Sequence, residues 1–315
     1  MDQQIYDDYF GDDGLPGGSA PLWTLKPKES EKNRKKQSIW TIFGKIWRAV
    51  YPAVIHGGGM SLVSAVLLPL AASLLVSIGI SSGKTAAFGI LYDHQIAYTG
   101  LCELAVLLPL FFFFRSDERK RAAYEPDKLL LKRKKSFLDW MIVAAFAICL
   151  LLLVNFIISL LNFADLAYEE TMEGLYGSTS IPVQLIVIGL IAPVCEEIAF
   201  RGLIFRRLRE DMNPILAAAL SGVMFGIYHG NLGQGVYASV MGFAFAMLYE
   251  HYGSLWIPIA CHVINNVYAT LSNAWIYEGK GLPELFSIAL LFGAAVGLSA
   301  LAVFIFKDDE KVNAY

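Results

Sequence analysis

The chain has 315 residues, of which 56% are hydrophobic and only 17% are charged, and its mean hydropathy is +0.51. These values exclude the soluble classes of protein and indicate an all-α, polytopic membrane protein. The formal net charge of −3 says little here, because topology depends on where Lys and Arg are placed.

The chain divides into four parts by composition. Residues 1–38 begin acidic, continue with Gly and Pro and end basic, which predicts a disordered cytoplasmic tail. Residues 39–136 are expected to hold two transmembrane helices and a basic cytoplasmic loop. Residues 137–306 form a longer apolar core, and residues 307–315 are expected to be a second cytoplasmic tail.

Eight apolar segments predict about eight transmembrane helices. Several of them exceed the ~20 residues that cross a bilayer, and a helix satisfies its own backbone hydrogen bonds there. The segments are residues 49–80, 94–114, 137–163, 181–200, 214–229, 236–249, 255–276 and 284–306. The four cysteines lie inside them and are expected to be buried apolar residues without disulfides. They are Cys102, Cys149, Cys195 and Cys261.

The distribution of basic residues predicts the orientation in the membrane. The connection 115–135 contains nine Lys and Arg residues, whereas the connection 164–180 contains four acidic residues and no Lys or Arg. The first is therefore expected inside and the second outside. Lys307 and Lys311 fall inside under the same alternation. We expect an integral protein of a bacterial plasma membrane with both termini in the cytoplasm.

The fourth segment contains charged residues, which are unusual in an otherwise apolar helix. Glu196, Glu197 and Arg201 lie late in the run that begins at Ile181. Removing an ionised carboxylate from water is costly, so such groups are usually paired or line a wet cavity. Glu197 and Arg201 share a helix face, while Glu196 is turned away by about 100°. We expect Arg201 to hold Glu197 ionised and Glu196 to act on substrate; the alternative is a salt-bridge cluster at the helix end.

The fifth segment has recognisable start and packing signals. Asn213 and Pro214 predict an N-cap followed by proline at the first helical position. Gly222, Gly226 and Gly230 are spaced four apart, which predicts that a neighbouring backbone approaches this stripe closely.

The fifth and seventh segments also carry polar residues at helical spacing. Phe225 and His229 are four residues apart and share a face, and so do His262 and Asn266. Taken singly, each pair is more typical of helix packing than of catalysis.

Taken together, these polar groups are hard to explain by packing alone. A carboxylate and an imidazole suit the activation of water, and an amide suits the stabilisation of an oxyanion, which is the chemistry of peptide hydrolysis. The sequence has no HExxH motif, so a zincin-type site is not expected, and Asp93 has no GxGD partner.

The remaining motifs resemble those of the CAAX protease and bacteriocin-processing (CPBP) family, the type II CAAX prenyl endopeptidase-like intramembrane proteases. In chain order they are EExxxR from Glu196, FxxxH from Phe225 and HxxxN from His262. The resemblance covers roughly residues 137–306, and it is specific because all three motifs occur in order on separate segments. The family includes an eight-helix form, which agrees with the segment count.

The resemblance also implies roles for individual residues. Glu196 would be the base that activates water, with His229 assisting it. His262 and Asn266 would form the oxyanion hole. The supporting residues would be Glu197, Arg201 and Phe225.

The resemblance leaves the use of a metal open, because it includes both a metalloprotease and a glutamate-type reading. If zinc were used, its protein ligands would be Glu196, His229 and His262. We favour no cofactor, because no two histidines have the i, i+4 spacing and Asn266 suits an oxyanion donor better than a ligand.

One point of geometry opposes this assignment. His229 lies 15 residues from Pro214, or about 22 Å along a helix, which would place it far above Glu196. We therefore expect the fifth and sixth segments to be too short to span the bilayer and to form a buried hairpin around a turn at Gly230–Gly235.

The function predicted is an intramembrane endopeptidase that cleaves a membrane-associated protein or peptide. The alternatives are a non-catalytic membrane scaffold or bacteriocin-immunity protein, and a transporter that uses the same groups as a proton relay. The partners expected are membrane lipid and a peptide or membrane-protein substrate, and no nucleic acid.

Overall fold

The structure is a computed structural model that describes residues 39–124, 136–161 and 180–277. All regular secondary structure in these ranges is helical. We number the helices α1 Ile39–Ser77, α2 Lys84–Asp93, α3 Gln95–Tyr124, α4 Phe137–Leu161, α5 Ile181–Arg209, α6 Pro214–Tyr228, α7 Leu232–Tyr252 and α8 Trp256–Tyr277.

Five of these helices, namely α1, α3, α4, α5 and α7, are long and apolar enough to cross a membrane. The all-α, polytopic class is therefore confirmed, while the number of eight crossings stays a prediction. The eighth predicted segment, 284–306, lies outside the described residues. So do both predicted tails, 1–38 and 307–315, and the acidic connection at 164–179.

The N-terminal part contains both predicted membrane helices, α1 and α3, and the short helix α2 between them. Helix α3 continues to Tyr124, so the basic residues from Arg115 to Arg121 lie on a helix, where a loop was predicted. Arg and Lys are good helix formers, so an apolar helix can continue into a charged stretch.

Helix α5 is the centre of the fold and is not a uniform α-helix. Two segments, Val187–Ile191 and Ile198–Phe205, have the wider π-helical turn. Every residue of the second segment is buried against the main hydrophobic core, which α3, α6, α7 and α8 complete. The helix runs twelve residues past Glu197 to Arg209. Glu196 and Glu197 therefore do not lie at the end of the helix, while the alternative of a structural salt-bridge cluster stays open.

Helices α6 and α7 form a hairpin with close backbone contact. A Cβ atom at Gly222 would lie 2.7 Å from the carbonyl oxygen of Ser239, and one at Gly226 would lie 2.3 Å from that of Gly235. The predicted glycine stripe is confirmed at these two positions. Gly230 instead has a φ of +76° and lies in the turn, a conformation that glycine adopts without strain.

The prediction that the sixth segment is too short to span is wrong, because α7 has 21 residues. Most of the predicted turn at Gly230–Gly235 is the first turn of this helix. Asn231 starts it by accepting a hydrogen bond from the backbone N–H of Gln234 at 2.7 Å. The predicted cap of α6 is confirmed, since the Asn213 side chain accepts from the N–H of Leu216 at 2.9 Å.

The charged ends of α1, α3 and α5 meet in a network that we call the charged end. Arg207 Nε donates to Asp117 at 2.7 Å, and its Nη1 donates to the carbonyl of Arg48 at 2.6 Å. Its Nη2 donates to the hydroxyl of Tyr51 at 2.8 Å. One buried guanidinium therefore joins α5 to both N-terminal membrane helices.

Candidate active site

Glu197 lies at the centre of a buried, charged cluster on α5 and α8. Its Oε1 accepts from Arg201 Nη1 at 2.8 Å and lies 2.9 Å from His262 Nδ1. Glu197 and Arg201 have no exposed surface. The contact between Glu197 and Arg201 expected from their spacing is thus confirmed. Because a carboxylate only accepts, its contact with His262 places the proton of that ring on Nδ1.

Arg201 is held between aromatic rings as well as by its carboxylate. Its guanidinium carbon lies 4.5 Å from the ring centre of Phe225 and 5.1 Å from that of Phe245. Gly242 makes room for it, since a Cβ atom there would lie 3.2 Å from Nη2. Cation–π contacts are strongest when they are desolvated, so the charge of Arg201 is balanced on several sides.

Glu196 differs from its neighbour in surroundings. It retains 8% of its surface, and its Oε2 lies 3.5 Å from Nε2 of His262. Arg201 donates to Glu197 and not to Glu196 among the contacts of the described residues. The two nitrogens of His262 therefore face two different carboxyl groups, of which only Glu197 is hydrogen-bonded to a permanent cation.

His229 follows the last residue of α6, and its orientation is defined. Its Nδ1 lies 2.8 Å from the carbonyl oxygen of Phe225. A carbonyl only accepts, so Nδ1 carries the proton and Nε2 of the neutral ring has the free lone pair of a base.

The ring of Phe225 brings the two histidines into one cluster. Its centre lies 4.7 Å from the His229 ring and 5.8 Å from the His262 ring, both edge to face. These contacts pack Phe225 against both histidines, and its supporting role in catalysis stays a prediction. They also place the end of α6 beside α8. A straight α6 that crossed the membrane was expected to hold His229 far from this cluster, and these contacts place it nearby.

Asn266 lies one turn beyond His262 on α8 and contacts the first wide turn of α5. Its Nδ2 donates to the carbonyl of Ile188 at 2.9 Å. A side-chain amide has two N–H donors, so this contact orients the group and uses one of them. Its use as an oxyanion donor stays a prediction.

The described side chains do not fit the zinc set considered from the sequence. No group of three His, Cys, Asp or Glu residues among them could hold a metal ion. His262 turns its two nitrogens to two carboxyl groups, and His229 bonds a backbone carbonyl through Nδ1. A catalytic zinc needs three protein ligands that converge on one point.

Comparison with known proteins covers the part of the chain that holds this cluster. Residues 178–268 match the family described as type II CAAX prenyl endopeptidase Rce1-like. Over these residues the match confirms the family resemblance noted from the three motifs.

One curated relative matches part of the chain. It is "Putative membrane peptidase YdiL" of Bacillus subtilis (strain 168), which is 37% identical over 103 residues. The aligned part is 33% of this chain and 42% of the relative, so the chain covers less than half the length of the relative. No solved structure matches the chain.

Sequence reasoning missed a second buried pair, His56 and Glu103. They lie 2.8 Å apart on α1 and α3, outside the Rce1-like segment. Both carried a signal, since an acidic group and an imidazole inside apolar segments are unusual enough to need a partner. Their separation of 47 residues hid that they are partners of each other.

A second pattern in the chain also matches a hydrolase spacing, GxSxG at Gly79–Gly83. It lies in the connection between α1 and α2, where the hydroxyl of Ser81 donates to the carbonyl of Gly83 at 2.9 Å. A serine nucleophile needs a base in place of this backbone contact, so the pattern does not mark a second active site.

The four cysteines are free and buried, as predicted. Cys195 and Cys261 precede Glu196 and His262, but their side chains point to other faces of their helices because adjacent residues diverge by about 100°.

Proposed function

We propose that the protein is an intramembrane endopeptidase in which Glu196 activates a water molecule. The observation that carries this proposal is that two adjacent carboxylates differ in their hydrogen bonds and burial. Glu197 is bonded to Arg201 and His262, whereas Glu196 keeps some exposed surface and faces only an imidazole of this cluster. The match of residues 178–268 to the Rce1-like family supports it independently.

The proposed reaction needs only groups of this cluster and one water molecule. Glu196 takes a proton from water as the oxygen attacks the carbonyl carbon of the scissile peptide bond. The C–O bond forms, and the carbonyl oxygen becomes an oxyanion. The C–N bond then breaks, and the proton passes to the leaving amine. His229 assists through Nε2, the nitrogen that its contact with Phe225 leaves as an acceptor.

The oxyanion would be stabilised from α8. When both nitrogens of His262 are protonated, Nε2–H is a donor on the side of the cluster that Glu196 faces. The second N–H of Asn266 is the other donor, and its contact with Ile188 orients the amide beforehand. Preorganised donors of this kind typically contribute about 10²–10³-fold to the rate.

The substrate class and setting follow from the apolar surroundings. We propose that the substrate is a peptide or a membrane-protein segment that reaches the site from a bacterial plasma membrane. The helices α5 and α7, which carry or contact the cluster, are candidate membrane spans, so a substrate would arrive with lipid as its neighbour.

The decisive experiment compares wild-type protein with Glu196→Ala in detergent or liposomes. Peptide mixtures with and without a farnesylated C-terminal cysteine motif are incubated with each protein, and products are identified by mass spectrometry. We expect Glu196→Ala to lower the rate by about 10²–10⁴-fold, the range for loss of a general base. Glu250→Gln is the matched control, because Glu250 is an acid paired with Arg209 outside the cluster.

Each reaction is repeated with a strong chelator and with added zinc. We expect full activity with chelator, because the described ligands do not converge on a metal position. Loss of activity with chelator, restored by zinc, would replace the metal-free mechanism. A folded wild-type protein that cleaves nothing would favour the scaffold or immunity function, and activity that survives Glu196→Ala would remove Glu196 as the base.

A further inference from the structure

Two buried side chains outside the Rce1-like segment meet at the edge of the proposed active site. His56 Nε2 on α1 lies 2.8 Å from Glu103 Oε2 on α3. His56 has no exposed surface, and Glu103 keeps 4% of its own. Because the carboxylate accepts, the imidazole points its Nε2–H at Glu103 and its ring is fixed in one orientation.

The fixed ring of His56 lies flat on Tyr228. The two ring centres are 4.9 Å apart and the planes differ by 8°. Tyr228 immediately precedes His229, and its ring meets the imidazole of His229 edge-on at 5.6 Å. On another side Tyr228 contacts Phe200 of α5 at 5.4 Å. The N-terminal helix α1 therefore touches the proposed catalytic histidine through one aromatic ring.

Glu103 also contacts the catalytic helix directly. Its backbone carbonyl accepts from the thiol of Cys195 at 3.7 Å, and Cys195 precedes Glu196. The pair thus lies beside both residues proposed to activate water.

Packing alone is a poor explanation for this pair. Two aliphatic side chains would join α1 to α3 without removing a carboxylate from water. Moreover, Nδ1 of His56 is buried and has no hydrogen-bond partner among the described residues. A buried nitrogen without a hydrogen-bond partner destabilises the folded protein. We therefore look for a functional role of this pair.

We propose that His56 and Glu103 are positioning residues of the peptidase site. Glu103 fixes the ring of His56, the ring holds Tyr228, and Tyr228 sets the orientation of His229. Helices α1 and α3, which lie outside the family match, then help to position a group of the active site. This inference rests on the proposed function.

The kinetic test uses full-length variants and the peptide that wild-type protein cleaves. Glu103→Leu and His56→Leu should lower kcat about tenfold or more and leave KM within about twofold, because His229 is misplaced after substrate has bound. Glu103→Gln keeps a hydrogen-bonding partner and should stay within about threefold of wild type. The control is His94→Leu, since His94 is exposed on the connection after α2 and its side chain has only the carbonyl of Ile90 as a partner among the described hydrogen bonds.

Tyr228 supplies a second pair of variants in case the loss of a buried ionic group prevents folding. Tyr228→Phe keeps the ring and should retain activity within about threefold, whereas Tyr228→Leu should lower kcat about tenfold. Wild-type kcat in Tyr228→Leu, or in both His56→Leu and Glu103→Leu, would overturn the proposal. So would a rise in KM alone.

A spectroscopic readout separates this proposal from the proposed function. The chain has five histidines, so the imidazole ¹⁵N signals of labelled protein can be assigned by single substitutions. Wild-type His229 should show the Nδ1–H tautomer, and Glu103→Leu should shift or split its signals. Unchanged His229 signals would overturn the positioning role. Activity that survives Glu196→Ala would overturn the proposed function and leave this spectroscopic result standing.

Discussion

Two glutamates that are adjacent in the sequence have different surroundings in the fold. Helical geometry turns neighbours by about 100°, so only Glu197 can meet Arg201 one turn later. Glu197 is fully buried and bonded twice through one oxygen, whereas Glu196 keeps 8% of its surface and has no hydrogen bond to Arg201. A single helix thereby supplies a structural carboxylate and, next to it, the carboxylate that we propose to be reactive.

The ion pair of Arg201 should be essential for stability. Arg201→Leu would leave the buried carboxylate of Glu197 without its cation, and breaking a buried pair from one side costs about 3–5 kcal/mol. We expect a clear fall in the thermal unfolding temperature of the protein in detergent. Lys45→Met is the control, because Lys45 pairs with Asp211 at an exposed position where such pairs contribute about 0–1 kcal/mol. Equal unfolding temperatures for the two variants would contradict a structural role for Arg201.

The residues of this cluster were predictable where one turn of helix joins them. The pairs of Glu197 with Arg201 and of Phe225 with His229 follow from a spacing of four, and both contacts exist. The bond between Glu197 and His262 joins residues 65 apart, and no local pattern specifies it. Periodicity identifies which residues lie on the same face of one helix. Tertiary packing determines which residues of another helix they contact.

At the scale of elements, glycine decides how α6 and α7 approach each other. Gly222 and Gly242 face each other so closely that a Cβ on Gly242 would lie 2.8 Å from the Cα of Gly222. The sequence stripe predicts this close approach on α6. It does not predict that the glycine-rich start of α7 is helical, because glycine by itself favours turns over helices. Close packing against the backbone of α6 is what favours glycine at these helical positions.

This contact can be tested by adding one methyl group. In Gly222→Ala the new Cβ would lie 2.7 Å from the carbonyl oxygen of Ser239, so the two backbones must separate. We expect a loss of about 1–3 kcal/mol in the free energy of unfolding, measured by denaturant titration in detergent. Gly44→Ala on α1 meets no atom within 4 Å and should be neutral or slightly stabilising. A similar loss in both variants would contradict a specific effect of the close contact, because helix propensity alone favours alanine over glycine.

At the scale of the whole molecule, the charged end brings together the ends of three helices. Arg48 on α1, Arg121 on α3 and Arg207 on α5 all lie there, and Glu210 accepts from the first two. Basic residues collect on the cytoplasmic side of membrane proteins, so this arrangement supports the orientation predicted from the connections. The orientation itself stays a prediction.

Reporter fusions can test that orientation. A fluorescent protein that matures only in the cytoplasm should be bright at either terminus, and alkaline phosphatase inserted between residues 164 and 180 should be active outside. A fusion at residues 125–135 provides the opposite control, because this basic connection is expected inside. A dark fluorescent fusion at one terminus, with the fusion protein present in the membrane, would mean an odd number of crossings.

The wide turns of α5 have a consequence for how relatives of this chain can differ. A turn closed between residues five apart contains one residue more than an ordinary helical turn, so it can lose that residue and remain helical. The helix on one side would then rotate by about 100° relative to the other. At Val187–Ile191 this rotation would turn the carbonyl of Ile188 away from Asn266. A single-residue gap at that place in a homologous sequence is therefore a sign that its asparagine has another partner.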